Sequence, residues 1–405
     1  LTLCDAISGT MKDIHPKDVN LAKTAIAGAL AMAAAMGFGR FVFTPILPSM
    51  ISGLPLSSSD AGMIAAGNFV GYLVGAVLAA YGWASGRERA IGLAALVASS
   101  MLLVAMGLSS DVLVFILIRF AAGVASAFSM IFISSIVLAH AAARGSEPAQ
   151  ALHFGGVGFG IALSSLVVFV ASRLNEQGSA PWRIDWLYSA GVTLVLLALV
   201  WWLLPHTPSR AGGPVAEPPL VWRRPLVLLT LSYGLFGFGY VVTATFIVTM
   251  ARMSNAGPFI EFLTWFVTGI AAAASLFLWR PVMARIGLFS AYGAALLIQS
   301  LGVAATVALP VSVAPLVGGL LLGLTFMTVT AYGLRLGRVL APDSPRRALA
   351  LMTAAFGIGQ IIGPIVAGTL AERSGSFAAP TLLAAAVLAV SLLLVLPLVL
   401  RRAEK

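Results

Sequence analysis

Apolar runs of roughly twenty residues follow one another along this 405-residue chain, separated by short polar breaks. A helix of that length crosses a hydrocarbon core of about 30 Å. No water is available there to satisfy the backbone, so only helices or closed barrels can cross. Barrel strands alternate polar and apolar residues over about ten positions, and these runs do not alternate. The balance of residue types agrees: 60% are hydrophobic and 9% charged, against about 25% charged in soluble domains. The chain reads as an all-α membrane protein.

Twelve helices are predicted, over 22–51, 59–83, 89–108, 112–140, 149–173, 184–204, 225–252, 259–280, 286–308, 312–336, 347–372 and 377–400. The longest connection, PHTPSRAGGPVAEPPLVWRR at 205–224, is rich in proline, glycine and charge. It divides an N-terminal six-helix bundle (22–204) from a C-terminal one (225–400), with tails at 1–21 and 401–405. Residues 1–20 hold no apolar leader, so no cleavable signal is expected. A single cysteine, Cys4, excludes an internal disulfide.

Basic residues orient the chain. With a cytoplasmic N-terminus, the outer loops hold only Arg173, Arg183, Arg252 and Arg373. Arg40 and Arg119 fall within the membrane, and the rest of the 24 basic residues lie inside. Both termini and the linker are therefore expected in the cytoplasm. Topology accounts for the net charge of +10, and nucleic acid is not an expected partner.

The chain repeats itself. GFGRFVFTPILPSM (37–50) aligns without gaps on GFGYVVTATFIVTM (237–250), and the same offset carries Gly123 onto Gly323. A shift of 201 places VGFGI (157–161) on IGQII (358–362). Two homologous halves related by an axis along the membrane normal are expected.

These features resemble the major facilitator superfamily over the whole chain. GFGRFVFTPILPSM and FGIGQIIGPIVAG (356–368) most resemble its bacterial YbfB/YjiJ-type subfamily. The resemblance implies two pseudo-symmetric six-helix bundles, alternating access about a central site, a bacterial inner-membrane location and no enzyme activity. Arg119-Phe-Ala-Ala-Gly123 fits the superfamily's fourth-helix motif. The loop between helices two and three departs from its pattern. It reads Gly82-Trp-Ala-Ser-Gly86-Arg87-Glu88-Arg89, with glycine at position 86 where the superfamily has aspartate. Helix five lacks the proline of drug/proton antiporters, and Gly363-Pro364 stands in helix eleven.

Arg40 and Arg119 carry the functional argument. Neither can shed its charge, and a central intramembrane arginine costs at least about 2.5–3.5 kcal/mol. All fourteen acids are expected in loops, tails or helix ends, with Asp60, Asp185, Glu261 and Glu372 nearest the membrane. Two readings stand. The arginines bind an anionic substrate, such as a carboxylate in a bidentate contact, or they tie helices through main-chain carbonyls. For Arg119 the two are balanced. For Arg40 substrate binding is favoured, because its repeat partner is the neutral Tyr240.

The resemblance places helices one and four on the central cavity, and the opposite wall is expected from the second half. Tyr233, Tyr240 and Thr243 share one helical face, as do Thr325, Thr328 and Tyr332. Asn68, Tyr72, Gln299 and Gln360 add hydrogen-bonding groups, and Phe38, Phe41 and Trp265 are candidate apolar walls. Gly37, Gly39, Pro45, Gly363 and Pro364 are expected to let helices bend or approach closely. Asp60, Glu261 and His153 are the candidate proton-coupling groups.

The chain is therefore expected to be a monomeric secondary transporter of a small organic anion, with multidrug efflux by proton antiport as the alternative. No nucleotide loop or metal-ligand cluster calls for a cofactor.

Overall fold

The computed structural model describes residues 20–175, 180–206 and 217–403. The predicted tails, apart from 20–21 and 401–403, and half of the linker (207–216) lie outside these residues, as do Cys4, Lys12, Lys17, Arg210 and Lys405.

Twelve helices long and apolar enough to cross a membrane are present. They are α1 (Leu21–Gly53), α2 (Ser58–Ala80), α3 (Glu88–Leu108), α4 (Val112–Ala143), α5 (Glu147–Leu174) and α6 (Pro181–Leu203) in the first half. The second half holds α7 (Arg224–Met253), α8 (Pro258–Ile286), α9 (Leu288–Ala308), α10 (Ala314–Leu340), α11 (Pro345–Ser374) and α12 (Ala378–Ala403). Most ends fall within a few residues of the sequence expectation. The exception is α8, which runs through Pro281 and stops before Gly287, a residue at φ 81°.

Packing repeats between the halves. In the first, α1 packs on α5, α2 on α4, and α3 on α4 and α6; in the second, α7 packs on α11, α8 on α10, and α9 on α10 and α12. The halves meet where α2 packs on α11 and α5 on α8, and where the last third of α1 reaches α7.

The repeated glycines explain the close approaches. A side chain at Gly123 would strike the α2 backbone at Asn68, and one at Gly323 would strike the α8 backbone at Thr268. Those two glycines hold equivalent seams, as the offset of 200 implies. The shift of 201 is corrected by the contacts. Gly158 faces Gly269 and Ala273 of α8, whereas Gly359 faces Gly234 and Phe238 of α7. The counterpart of Gly359 is Gly160, which packs on Ala33 and Gly37. Apolar glycine-rich stretches align in several registers, and only packing selects one.

The first helix covers the expected 22–51 but is not α-helical throughout. An α-helical segment (Leu21–Met32) leads into a π-helical one (Ala33–Phe41) and then a second α-helical segment (Phe43–Gly53). Pro45 has no N–H to offer a carbonyl four or five residues back, so the register changes just before it. π-Helical turns are short, uncommon and frequent at functional sites.

In the 82–89 loop, Gly86 sits at φ 78°, a left-handed conformation that disfavours the superfamily's aspartate. Arg89 donates to the carbonyls of Trp201 (2.8 Å) and Leu204 (3.3 Å), tying this loop to the end of α6.

Below, the face carrying the 54–57 turn is the far face, and the one carrying the 204–223 connection is the linker face. At the far face the halves are joined by several polar ties. Thr44 Oγ1 donates to the Ala244 carbonyl (2.7 Å), and Ser59 N donates to Glu372 (3.1 Å). Arg252 reaches Ser49 Oγ at 3.5 Å. At the linker face, exposed Arg280 and Glu147 pair at 2.7 Å.

Candidate substrate site

Arg119 meets main-chain carbonyls of the π-helical segment. Its guanidinium donates to the Gly39 carbonyl at 3.2 Å and the Arg40 carbonyl at 2.8 Å, and lies 5.1 Å from the Phe43 ring centroid. Ser126 Oγ donates to the Ala35 carbonyl at 2.9 Å in the same stretch. Arg119 is 2% exposed. Its burial is offset by carbonyl dipoles, and the backbone of α1 is fixed at Arg40.

Arg40 differs. It is 4% exposed, and its Nε and Nη2 have no hydrogen-bond partner. Among the described residues no ion pair involves either arginine. The Arg40 guanidinium lies 4.6 Å from the ring centroids of both Phe69 and Tyr72 and 5.5 Å from that of Phe41. Ring faces attract a cation but leave its N–H groups without acceptors. Tyr240, the repeat partner of Arg40, lies within electrostatic range of it across the interface.

Tyr240 and Gln360 are joined by a hydrogen bond between their side chains. Tyr240 is also stacked between Phe326 and Phe356, at centroid distances of 5.9 and 5.6 Å. From the other half, Phe41 approaches Trp265 and Phe326, each at 6.3 Å. Between these groups lies a narrow gap of about 180 Å³ of empty space, without room for a water molecule. Phe41, Tyr240, Trp265, Thr268 and Phe326 line it. The Trp265 indole N–H is buried without a partner. The structure thus brings Arg40, Tyr240, Gln360 and Tyr72 together with an aromatic layer at the centre of the molecule.

Other residues singled out in the sequence are engaged elsewhere. Asn68 Nδ2 donates to the Arg119 carbonyl at 3.0 Å, leaving its Oδ1 unpartnered. Tyr233 donates to the Thr330 carbonyl (3.2 Å), and Thr328 bonds its own helix at Leu324 (3.4 Å). Thr325 pairs with Gln299 at 2.6 Å. Thr243 is buried with a free hydroxyl, and Tyr332 is buried on α10. Phe38 is fully buried in the core. Gly37 packs on Gly160, Gly39 faces the hydroxyls of Ser99 and Ser126, Gly363 packs on Phe238, and the Pro364 carbonyl meets Gly62. These glycines and Pro364 stand at close helix contacts.

The three proton-coupling candidates all lie away from the centre. Asp60 closes the capping box of α2 with Ser57. Glu261 pairs with Arg252 at 2.6 Å at the far face. His153 is buried near the linker face, with Nε2 2.7 Å from Ser134 Oγ. The expectation that every acid lies in a loop or helix end is corrected at Asp185. Helix α6 begins at Pro181, three residues earlier than predicted, so Asp185 stands inside it at 0% exposure.

A family model described as uncharacterised MFS-type transporter YbfB matches residues 32–396. The chain belongs to this family. It is a membrane transporter of the MFS type, not an enzyme. A probable sugar efflux transporter of Helicobacter pylori (strain P12) is 29% identical over 170 residues, which is 40% of this chain and 41% of that protein. The match thus spans about two fifths of that relative. The MFS architecture is shared with solved structures. The nucleoside transporter NupG superposes with a TM-score of 0.69 at 14% identity, over 94% of this chain and 99% of that one. A bacterial homologue of the human lysosomal transporter Spinster, inward-facing and unoccupied, gives 0.73 at 13% identity, over 93% and 96%.

Proposed function

We propose that this MFS-type transporter carries a small organic anion with an apolar or aromatic body, by alternating access across a bacterial inner membrane. The termini and linker face the cytoplasm, as the basic residues suggest. The observation that carries the reading is Arg40, a permanent cation buried at the centre with two N–H donors unpartnered. Leaving such donors empty is costly, and a carboxylate entering the site satisfies both at once. Tyr240 and Gln360 then offer neutral hydrogen bonds, while Phe41, Trp265 and Phe326 offer an apolar wall. Arg119 has a positioning part, because its donors are spent on carbonyls. Deep carboxylates that would attract cationic drugs are absent from this centre among the described residues.

A neutral sugar is the second reading. It is favoured by the similarity of part of the chain to probable sugar efflux transporters of Helicobacter and by the stacked aromatic faces around Tyr240.

The test is thermal stability of the purified protein against small carboxylates, sugars and lipophilic cations. A ligand at about 100 times its Kd stabilises by about 2.7 kcal/mol. Carboxylates are expected to stabilise the parent and not Arg40→Ala. Equal stabilisation of both proteins by sugars alone would overturn the anion reading.

A further inference from the structure

Helix α8 carries two buried tryptophans, Trp265 and Trp279. The indole N–H of Trp279 donates to the Leu324 carbonyl of α10 at 2.8 Å. That of Trp265 has no partner, although the residue is 1% exposed. A buried indole N–H ordinarily finds an acceptor, and one left empty carries the full cost of its desolvation. Among the described residues, Trp186 of α6 is the other buried tryptophan with a free N–H, and it packs against Gly107 of α3. Trp265 instead lines the narrow gap where the halves meet. The other polar side chains described in that lining are engaged. Thr268 donates to the Thr264 carbonyl (2.8 Å), and the Tyr240 hydroxyl is joined to Gln360.

Donors without partners therefore stand at the centre in both halves, on Arg40 of α1 and Trp265 of α8. Phe41 approaches both, with its ring centroid 5.5 Å from the Arg40 guanidinium and 6.3 Å from the Trp265 ring. The guanidinium itself lies against Phe69 and Tyr72 of α2. A ligand that reaches both donors has to extend along Phe41, with its two acceptors apart.

The donors differ in charge. Arg40 suits a carboxylate. The indole is neutral, and a second carboxylate resting on it would be a buried charge without a counter-ion. Its acceptor is then a neutral oxygen, as in a ketone, hydroxyl or ether. We propose that Trp265 is a specificity-determining residue, and that the substrate is a monocarboxylate whose apolar body carries a neutral oxygen acceptor remote from the carboxylate. The inference rests on the anion reading and narrows it. A site built around a hydrogen bond rejects the analogue that lacks it, because its own buried donor then stays unpaired.

The test uses three probes of similar shape. They are para-acetylphenylpropanoate, its para-isopropyl analogue, which lacks the oxygen, and its para-carboxy analogue, which adds a second charge. Calorimetric titration measures their affinities for the parent, Trp265→Phe and Arg40→Ala. The parent is expected to bind the acetyl compound roughly tenfold more tightly than either analogue. Trp265→Phe keeps an aromatic ring without the donor. It should bind the acetyl and isopropyl compounds alike, the latter about as well as the parent does. Arg40→Ala should bind none of the three. A parent without the acetyl preference, or a preference that survives in Trp265→Phe, would overturn the inference and leave the anion reading in place. If no probe binds the parent, or if Arg40→Ala binds them equally well, the anion reading fails and the inference falls with it. If Trp265→Phe does not fold, the parent is isotope-labelled at tryptophan for NMR. One indole N–H resonance must then move with the acetyl compound and not with the isopropyl one, and the lack of such a resonance overturns the inference.

Discussion

Arg119 Nη2 donates a 2.8 Å hydrogen bond to the main-chain carbonyl of Arg40. One intramembrane arginine therefore holds the backbone from which the other projects. Hydrogen bonds to a charged group contribute about 1.5–3 kcal/mol. Arg119→Ala is expected to lower the stability of the detergent-purified protein by about that amount. Arg119→Lys should recover little of it, because an ammonium lacks the planar fork that reaches two carbonyls. Thermal unfolding measures both.

Arg40 should behave in the opposite way. It makes cation–π contacts with Phe69 and Tyr72 but leaves Nε and Nη2 empty. Arg40→Ala should cost about 1–2 kcal/mol of stability or less and abolish carboxylate-dependent stabilisation and uptake or efflux. A variant that unfolds like Arg119→Ala while still responding to carboxylates would assign Arg40 a structural part only.

Trp265 and Phe326 line a void too small for water. Phe326→Ala enlarges it and removes the stack on Tyr240. A loss of about 3–5 kcal/mol is expected in the absence of ligand, together with acceptance of bulkier substrates. Competition transport assays across a series of carboxylates of increasing size measure the second effect.

Two glycine substitutions separate packing from simple helix propensity. A Cβ at Gly160 overlaps the α1 backbone at Ala33, whereas one at Gly191 meets nothing within 4 Å. Gly160→Ala should destabilise by about 1–3 kcal/mol through overpacking. Gly191→Ala should be neutral or stabilising by up to about 1 kcal/mol. Equal effects in thermal unfolding would refute the close α1–α5 contact.

Hydrophobic length alone determined the all-helical fold and the count of twelve spans, because a bilayer permits few solutions to backbone hydrogen bonding. The repeat at an offset of 200 foretold equivalent seams at Gly123 and Gly323, since a small residue needed for close approach is needed in both halves. The mismatch of Arg40 with its neutral repeat partner Tyr240 was the reason in the sequence to favour a substrate role for Arg40.

Tertiary structure alone decided what each polar group does there. The sequence carried the ingredients of the π-helical segment in Pro45, five residues after Arg40, but not the arginine from α4 that satisfies its carbonyls. It placed Asp185 near a helix end, where water normally solvates an acid; the start of α6 at Pro181 and the packing around it bury that acid. The choice between binding substrate and bonding backbone at Arg40, Arg119 and Asn68 depends on neighbours tens of residues away. Local pattern specifies which segments enter the membrane, and the partners of a buried charge are specified only when those segments meet.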